Sequence, residues 1–118
     1  MSYFWVFLGG GMGSICRFGL SRFNAGAQHF PWGTFLANAI SCLVLGALLG
    51  WHLRNGLSAE YRLWLMTGFC GGFSTFSTFS METLQLLQSG QWTIALINVF
   101  GSLAVGVICL YLGMKMMG

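Results

Sequence analysis

Four long apolar segments run along the chain and are separated by three short polar connections. The segments cover roughly residues 3–22, 31–53, 60–87 and 92–116, and each is long enough for a transmembrane helix, which needs about 20 residues. Long helices joined by such short connections form an up-and-down antiparallel bundle. The pattern therefore predicts an all-α integral membrane protein with one four-helix domain over residues 1–118, set in lipid.

The composition excludes most other classes of protein. Of the 118 residues 56% are hydrophobic and 6% are charged, whereas about 25% of the residues in a soluble domain are charged. The net charge of +3 comes from scattered basic residues that form no basic stripe, so nucleic acid is not a predicted partner. The cysteines have no CxxC spacing, which favours small apolar helix residues over a metal or disulfide site: Cys16, Cys42, Cys70 and Cys109.

Several residues mark the predicted helix ends. Pro31 suits the first helical position of the second segment. Ser58 is a predicted N-cap for the third segment, with Glu60 at the positive end of the helix dipole. The tryptophans lie near segment ends, as in an interfacial aromatic belt: Trp5, Trp32, Trp51, Trp64 and Trp92.

Basic residues are almost balanced between the two predicted membrane sides. The side shared by both termini and the second connection holds Arg54, Arg62 and Lys115, and the other side holds Arg17 and Arg22. The positive-inside rule selects one orientation only when one side has a clear excess. We therefore expect insertion in both orientations and an antiparallel homodimer. The alternative is one orientation, set by a partner or by a weak bias.

Rows of small residues, spaced four apart, occur in three of the segments. Such rows let helix backbones approach closely in lipid. They suit contacts between subunits and contacts within one chain equally well, so they leave the stoichiometry open. The rows are Gly9 with Gly13, Cys42 with Gly46 and Gly50, and Ser102 with Gly106.

The third segment contains a polar interruption, GFCGGFSTFSTFS at residues 68–80. Its pair Gly71 and Gly72 weakens a helix, and five hydroxyl residues follow. Non-helical backbone at membrane depth persists only when it is buried in protein or faces water. We predict a helix break near residues 71–75, where freed carbonyls can bind a cation. The alternative is an intact helix whose hydroxyls bond back to their own carbonyls.

Polar side chains within the second and fourth segments are candidates for anion contact. Asn38 lies in mid-span, one turn after Thr34, where a polar residue is functional by default. Its amide can donate hydrogen bonds to an anion. Asn98 and Ser102 repeat the arrangement in the fourth segment. The alternative for both pairs is an interhelical hydrogen bond that holds the bundle together.

Two phenyl rings and two charged residues lie near the interruption. Phe76 and Phe79 share one helix face, and the positive edge of a phenyl ring can meet an anion. A core aromatic pair explains the same spacing. Arg17 either lines a vestibule or extends to the interface. Glu82 lies within the third segment, beside a polar entrance or paired with an arginine.

At these residues the chain resembles the CrcB/Fluc family of fluoride ion channels. The resemblance covers essentially the whole length. It implies a dual-topology homodimer of four-helix subunits with a broken third helix, two pores at the subunit interface, and passive fluoride export across the bacterial inner membrane. The motifs are GGGMGSICR at 9–17, PWGTFLAN at 31–38, GFCGGFSTFSTFS at 68–80 and INVFGSLAVG at 97–106.

The resemblance also implies individual roles. Phe76 and Phe79 match the aromatic pair that lines each pore, and Asn38 matches the amide donor beside them. Ser74 stands where Thr is common in the family, and Asn98 stands where some members carry a pore-facing Tyr. The other roles are a polar track, vestibule positions and backbone ligands of a central structural Na⁺ shared by both subunits: Thr34 with Ser102, Arg17 with Glu82, and Gly71 with Ser74.

Two other functions stay open. A small multidrug-type, proton-coupled exporter needs an acid embedded in the membrane, and Glu82 is the acid available within a span. A non-transporting scaffold would use its small and hydroxyl residues for packing alone. An enzyme is not expected, because the sequence shows no nucleophile–base or metal-ligand constellation.

Overall fold

The computed structural model describes residues 1–22, 30–74 and 76–117, and all regular elements within these ranges are helices. The apolar segments before and after the third form single long helices. The third segment is divided into several pieces. The helices are α1 (Ser2–Ser21), α2 (Trp32–Asn55), α3 (Ala59–Tyr61), a π-helix (Arg62–Cys70), α4 (Gly71–Phe73), α5 (Phe76–Gln88) and α6 (Trp92–Met117).

The fold has the dimensions of a membrane domain. Among the described helices, α2 and α6 are long and apolar enough to cross a membrane. The body measures 47 × 29 × 19 Å, and its long axis is close to the thickness of a bilayer with headgroups, about 40–45 Å. The prediction of an all-helical membrane protein is thus confirmed in its general form. The dual topology and the homodimer stay predictions.

The helix ends agree with the prediction at Ser58 and differ from it by one residue at Pro31. The Ser58 hydroxyl accepts a hydrogen bond from the backbone N–H of Tyr61 at 3.4 Å, so Ser58 is the N-cap expected. Pro31 is not the first helical residue, because α2 begins at Trp32 and Pro31 is its N-cap. The Pro31 carbonyl accepts from the N–H of Phe35 at 3.0 Å. Of the predicted connection between the first and second segments, only Phe30 lies within the described ranges.

The first small-residue row joins α1 to the first part of the third segment. A Cβ atom on Gly9 would overlap the carbonyl of Trp64, and one on Gly13 would overlap the carbonyl of Phe69. Both glycines are buried. Backbone therefore lies against backbone here, and this row is used for packing within one chain.

The other rows join α2 to α6. A Cβ atom on Gly46 would overlap the carbonyl of Leu110, and one on Gly113 would overlap the carbonyl of Leu43. A Cβ on Gly106 would lie 3.4 Å from the sulfur of Cys42. Gly46 and Gly106 of these rows thus contact the neighbouring helix of the same chain.

The predicted helix break is confirmed. Helix α4 ends at Phe73, and Ser74 takes extended backbone angles of φ −98° and ψ 152°. The next helix, α5, begins at Phe76, while Thr75 lies outside the described residues. The break separates an N-terminal half of the third segment (residues 59–73) from a C-terminal half (α5). The nine-residue π-helix in the N-terminal half was not predicted, and π-helices of more than one turn are rare.

Candidate functional site

An open groove of about 440 Å³ lies beside the helix break. It is bounded by residues of α2, α5 and α6 together with Ser74 at the break itself. Two phenyl rings, an amide and two hydroxyls meet there on an otherwise apolar surface. The lining residues are Asn38, Cys42, Ser74, Phe76, Phe79, Val99, Ser102, Leu103 and Gly106.

The two phenyl rings form one wall of the groove. The ring of Phe76 is 80% exposed, so it does not belong to the core of this chain. Its centroid lies 6.1 Å from that of Phe79, with the ring planes inclined at 39°. The edges of such rings carry the positive part of the ring quadrupole.

Hydrogen bonds fix the backbone just before the break. The carbonyl of Cys70 accepts from the hydroxyls of Ser41 and Ser74, each at 3.0 Å, and from the N–H of Ser74 at 3.2 Å. These bonds satisfy a carbonyl that the end of the helix would leave without a partner. Because Ser41 belongs to α2, the same bonds tie the break to the helix that carries Asn38.

Arg17 lies at the break. Its Nε–H donates to the carbonyl of Gly72 at 3.1 Å. A cation at the C-terminal end of a helix is stabilised by the helix dipole. Arg17 is not a lining residue of the groove described above. Its guanidinium therefore binds the backbone of α4 and not the groove.

Thr34 and Glu82 form a separate polar contact. Thr34 is buried, and its hydroxyl donates to the Glu82 carboxyl. The Oε1 atom of Glu82 is buried and has no hydrogen-bond partner within residues 1–22, 30–74 and 76–117. Neither residue is among those that line the groove.

Asn98 lies behind the groove wall. It is 1% exposed, and its Nδ2 donates to the hydroxyl of Thr83 at 3.0 Å. Its Oδ1 accepts from the hydroxyl of Ser102 at 3.3 Å. The Asn98–Thr83 bond between α6 and α5 is the interhelical bond that the sequence left as an alternative. Thr83 was missed, and its signal was a hydroxyl one turn after Phe79.

The residues expected to bind a cation lie at the turn. Gly71 is exposed and Ser74 is half-buried, and the extended ψ of Ser74 directs its carbonyl away from the axis of α4. The described residues contain no group of three or more His, Cys, Asp or Glu that could hold a metal ion. The oxygens that these two positions offer are their backbone carbonyls and the Ser74 hydroxyl.

An all-helical chain with membrane-length apolar helices and a partly polar groove beside a helix break has the architecture of a membrane protein. Residues 4–114 match the family described as CrcB-like protein, Camphor Resistance (CrcB). The match covers most of the chain, and the protein belongs to the CrcB family.

Bacterial relatives of the chain carry the name fluoride-specific ion channel FluC. A relative from Thermus thermophilus is 43% identical over 98% of this chain and 93% of its own length. The relative from Phocaeicola vulgatus is 42% identical over 94% of this chain and 93% of its own length. The relative from Oceanobacillus iheyensis is 44% identical over 94% of this chain and 87% of its own length.

Proposed function

We propose that this protein is a fluoride-selective channel in the bacterial inner membrane, through which fluoride leaves the cell passively. Similarity to proteins named as fluoride-specific channels supports this, and so does the chemistry of the groove. The observation that carries the proposal is the meeting of Asn38, Ser102 and two phenyl rings beside the helix break. The four segments then act as transmembrane spans.

The groove offers a small anion neutral partners. Fluoride is strongly hydrated, so its water must be replaced by closely placed donors. The amide of Asn38, the hydroxyl of Ser102 and the edges of Phe76 and Phe79 can supply them. Because Arg17 bonds to the Gly72 carbonyl instead of lining the groove, it leaves the ion free of a direct charge contact. Conduction requires binding that is weak enough for release.

The proposed pores lie between two antiparallel copies of the chain. The groove is open on one side, and Phe76 is exposed there, so a second copy would close it. Two-fold symmetry would then produce two equivalent pores. The near balance of basic residues supports insertion in both orientations. In this arrangement Thr34 and Glu82 continue the polar path beyond the rings, and Asn98 contributes through Ser102.

A structural Na⁺ at the break is part of the proposal. Its ligands would be the carbonyl oxygens of Gly71 and Ser74, contributed by both subunits. The exposure of Gly71 and the outward turn at Ser74 suit such a role, and oxygen ligands suit a hard cation. When bound, the ion would add positive potential at the middle of the bilayer, where an anion is costliest.

The test is anion flux from liposomes that contain the purified protein. We expect fluoride to leave quickly and chloride to leave far more slowly. The substitutions Phe76→Ile and Phe79→Ile should each reduce fluoride efflux strongly, because the ring edges are lost. Phe18→Ile is the matched control, since Phe18 is 64% exposed on α1 and does not line the groove. Equal passage of chloride, or unchanged efflux in both groove variants, would contradict the proposal.

The proton-coupled exporter makes a different prediction. It would depend on Glu82, whose Oε1 is buried without a partner among the described residues. An exporter would stop with Glu82→Gln and would require a proton gradient. A channel should pass fluoride without any proton gradient, and Glu82→Gln should leave passive fluoride flow measurable.

A further inference from the structure

We propose that Asn98 is a positioning residue, which determines whether Ser102 offers the groove a hydrogen-bond donor or an acceptor. The inference rests on the proposed fluoride pathway. It starts from a chain of hydrogen bonds behind the groove wall. Thr83 donates to the Phe79 carbonyl at 2.8 Å, Asn98 donates to Thr83 at 3.0 Å, and Ser102 donates to Asn98 at 3.3 Å.

Each hydroxyl in this series of hydrogen bonds has a single proton, so the direction of one bond decides the direction of the next. Thr83 gives its proton to the Phe79 carbonyl and can only accept from Asn98. The Nδ2 of Asn98 must therefore face Thr83, and its Oδ1 must face Ser102. Ser102 in turn gives its proton to Asn98. In this arrangement Ser102 presents only lone pairs to the groove, and lone pairs repel an anion.

A half-turn of the Asn98 amide reverses the direction of these hydrogen bonds. Thr83 then donates to Oδ1, Nδ2 donates to the hydroxyl of Ser102, and the proton of Ser102 becomes available to the groove. The Ser102–Asn98 bond is the longest of the three, so the proton of Ser102 is held the least strongly. Because Asn98 is 1% exposed, water cannot take the place of either partner.

Fluoride must then compete with Asn98 for the proton of Ser102. The competition explains how an enclosed amide influences an ion it does not touch. Removing the hydrogen bonds of Asn98 or of Thr83 should therefore strengthen fluoride binding. A purely structural Asn98 predicts the opposite, because its loss would loosen α5 and displace the phenyl rings.

The test measures fluoride efflux from liposomes at several fluoride concentrations. With Asn98→Leu, which has a similar size, we expect the half-saturating fluoride concentration to fall about fivefold, the equivalent of one net hydrogen bond. Thr83→Val should shift it in the same direction, since the amide loses the partner that fixes its orientation. Thr93→Val is the control, because Thr93 is exposed at the start of α6.

The decisive measurement repeats both variants in a Ser102→Ala background. If the effect passes through Ser102, neither substitution should then change the half-saturating concentration. An equal shift with and without Ser102, or no shift in either single variant, would overturn the inference. If Asn98→Leu does not fold, Thr83→Val alone decides. A wild-type protein that passes no fluoride would instead contradict the proposed function itself.

Discussion

The two halves of the broken third segment are held in different ways. The N-terminal half packs against α1 through glycines, and its last ring, Phe73, is 6% exposed. The C-terminal half begins with Phe76, which is 80% exposed. A side-chain hydrogen bond between Thr83 and Asn98 joins it to α6. One half is therefore fixed by close backbone packing, and the other begins with a ring that lies outside the fold of the chain, while Phe79 is half-buried.

The N-terminal half therefore has a structural role, and the C-terminal half provides an exposed surface. Backbone contacts without intervening side chains leave little freedom, so the N-terminal half holds the break in place. The C-terminal half keeps an apolar face uncovered, which is available to an ion path, to lipid or to a second copy. Substitutions in the first half should thus change stability, and substitutions in the second should change transport.

A large loss of stability is expected at Gly9. An added Cβ would overlap the Trp64 carbonyl and lie 2.8 Å from the backbone nitrogen of Phe69. Neither is the end of a flexible side chain, so Gly9→Ala should cost more than about 3 kcal/mol, the upper end of usual overpacking costs. Thermal unfolding and size-exclusion chromatography in detergent would measure this loss.

Gly11→Ala is the matched control for Gly9. It lies on the same helix, and its added Cβ would meet nothing within 4 Å. It should leave the elution profile unchanged. A Gly9→Ala protein as stable as the Gly11→Ala protein would show that α1 does not require close packing.

The next effect compares two phenylalanines on either side of the break. Phe73→Ala should cost about 3–5 kcal/mol, as expected for a buried aromatic side chain. Phe76→Ala should change the free energy of unfolding of the chain by about 0.5 kcal/mol, as for a surface position. When only folded protein is compared, Phe76→Ala should reduce fluoride efflux more than Phe73→Ala does. Equal losses of stability in the two variants would remove the distinction between the halves.

A smaller loss is expected at Arg17. Arg17→Gln removes a charged hydrogen bond to the Gly72 carbonyl, and bonds of this type contribute about 1.5–3 kcal/mol. Arg22→Gln is the control, because Arg22 is an exposed residue at the end of α1. Chemical denaturation in detergent would compare the two. If both variants lose the same stability, the bond at the break contributes nothing specific.

The smallest effect is expected at Ser41. Ser41→Ala removes one of the bonds to the Cys70 carbonyl, which keeps the two bonds from Ser74. The expected loss is about 1 kcal/mol. The exposed Ser80 on α5 provides the comparison, since Ser80→Ala should have almost no effect on the melting temperature. A larger loss at Ser80 than at Ser41 would contradict this account of the break.

Local chemistry made part of the site predictable. A glycine pair followed by hydroxyl residues weakens any helix, whatever surrounds it, and the break occurs at Ser74 as the sequence indicated. The spacing of Phe76 and Phe79 likewise placed both rings on one face. Arg17 was harder, because the sequence suggested a vestibule or the interface. Its bond to Gly72 joins residues 55 positions apart, and such a contact has no local signal.

The sequence by itself determined the class of the molecule and the position of its break. Apolar length, scarce charge and the weak helix at Gly71 and Gly72 are properties of the chain that no partner alters. The tertiary structure decided which small residues pack against which backbone. It also decided that Asn98 is enclosed while Asn38 reaches the groove. The physical reason is that helical periodicity assigns a residue to a face, whereas only the packing of helices decides what covers that face.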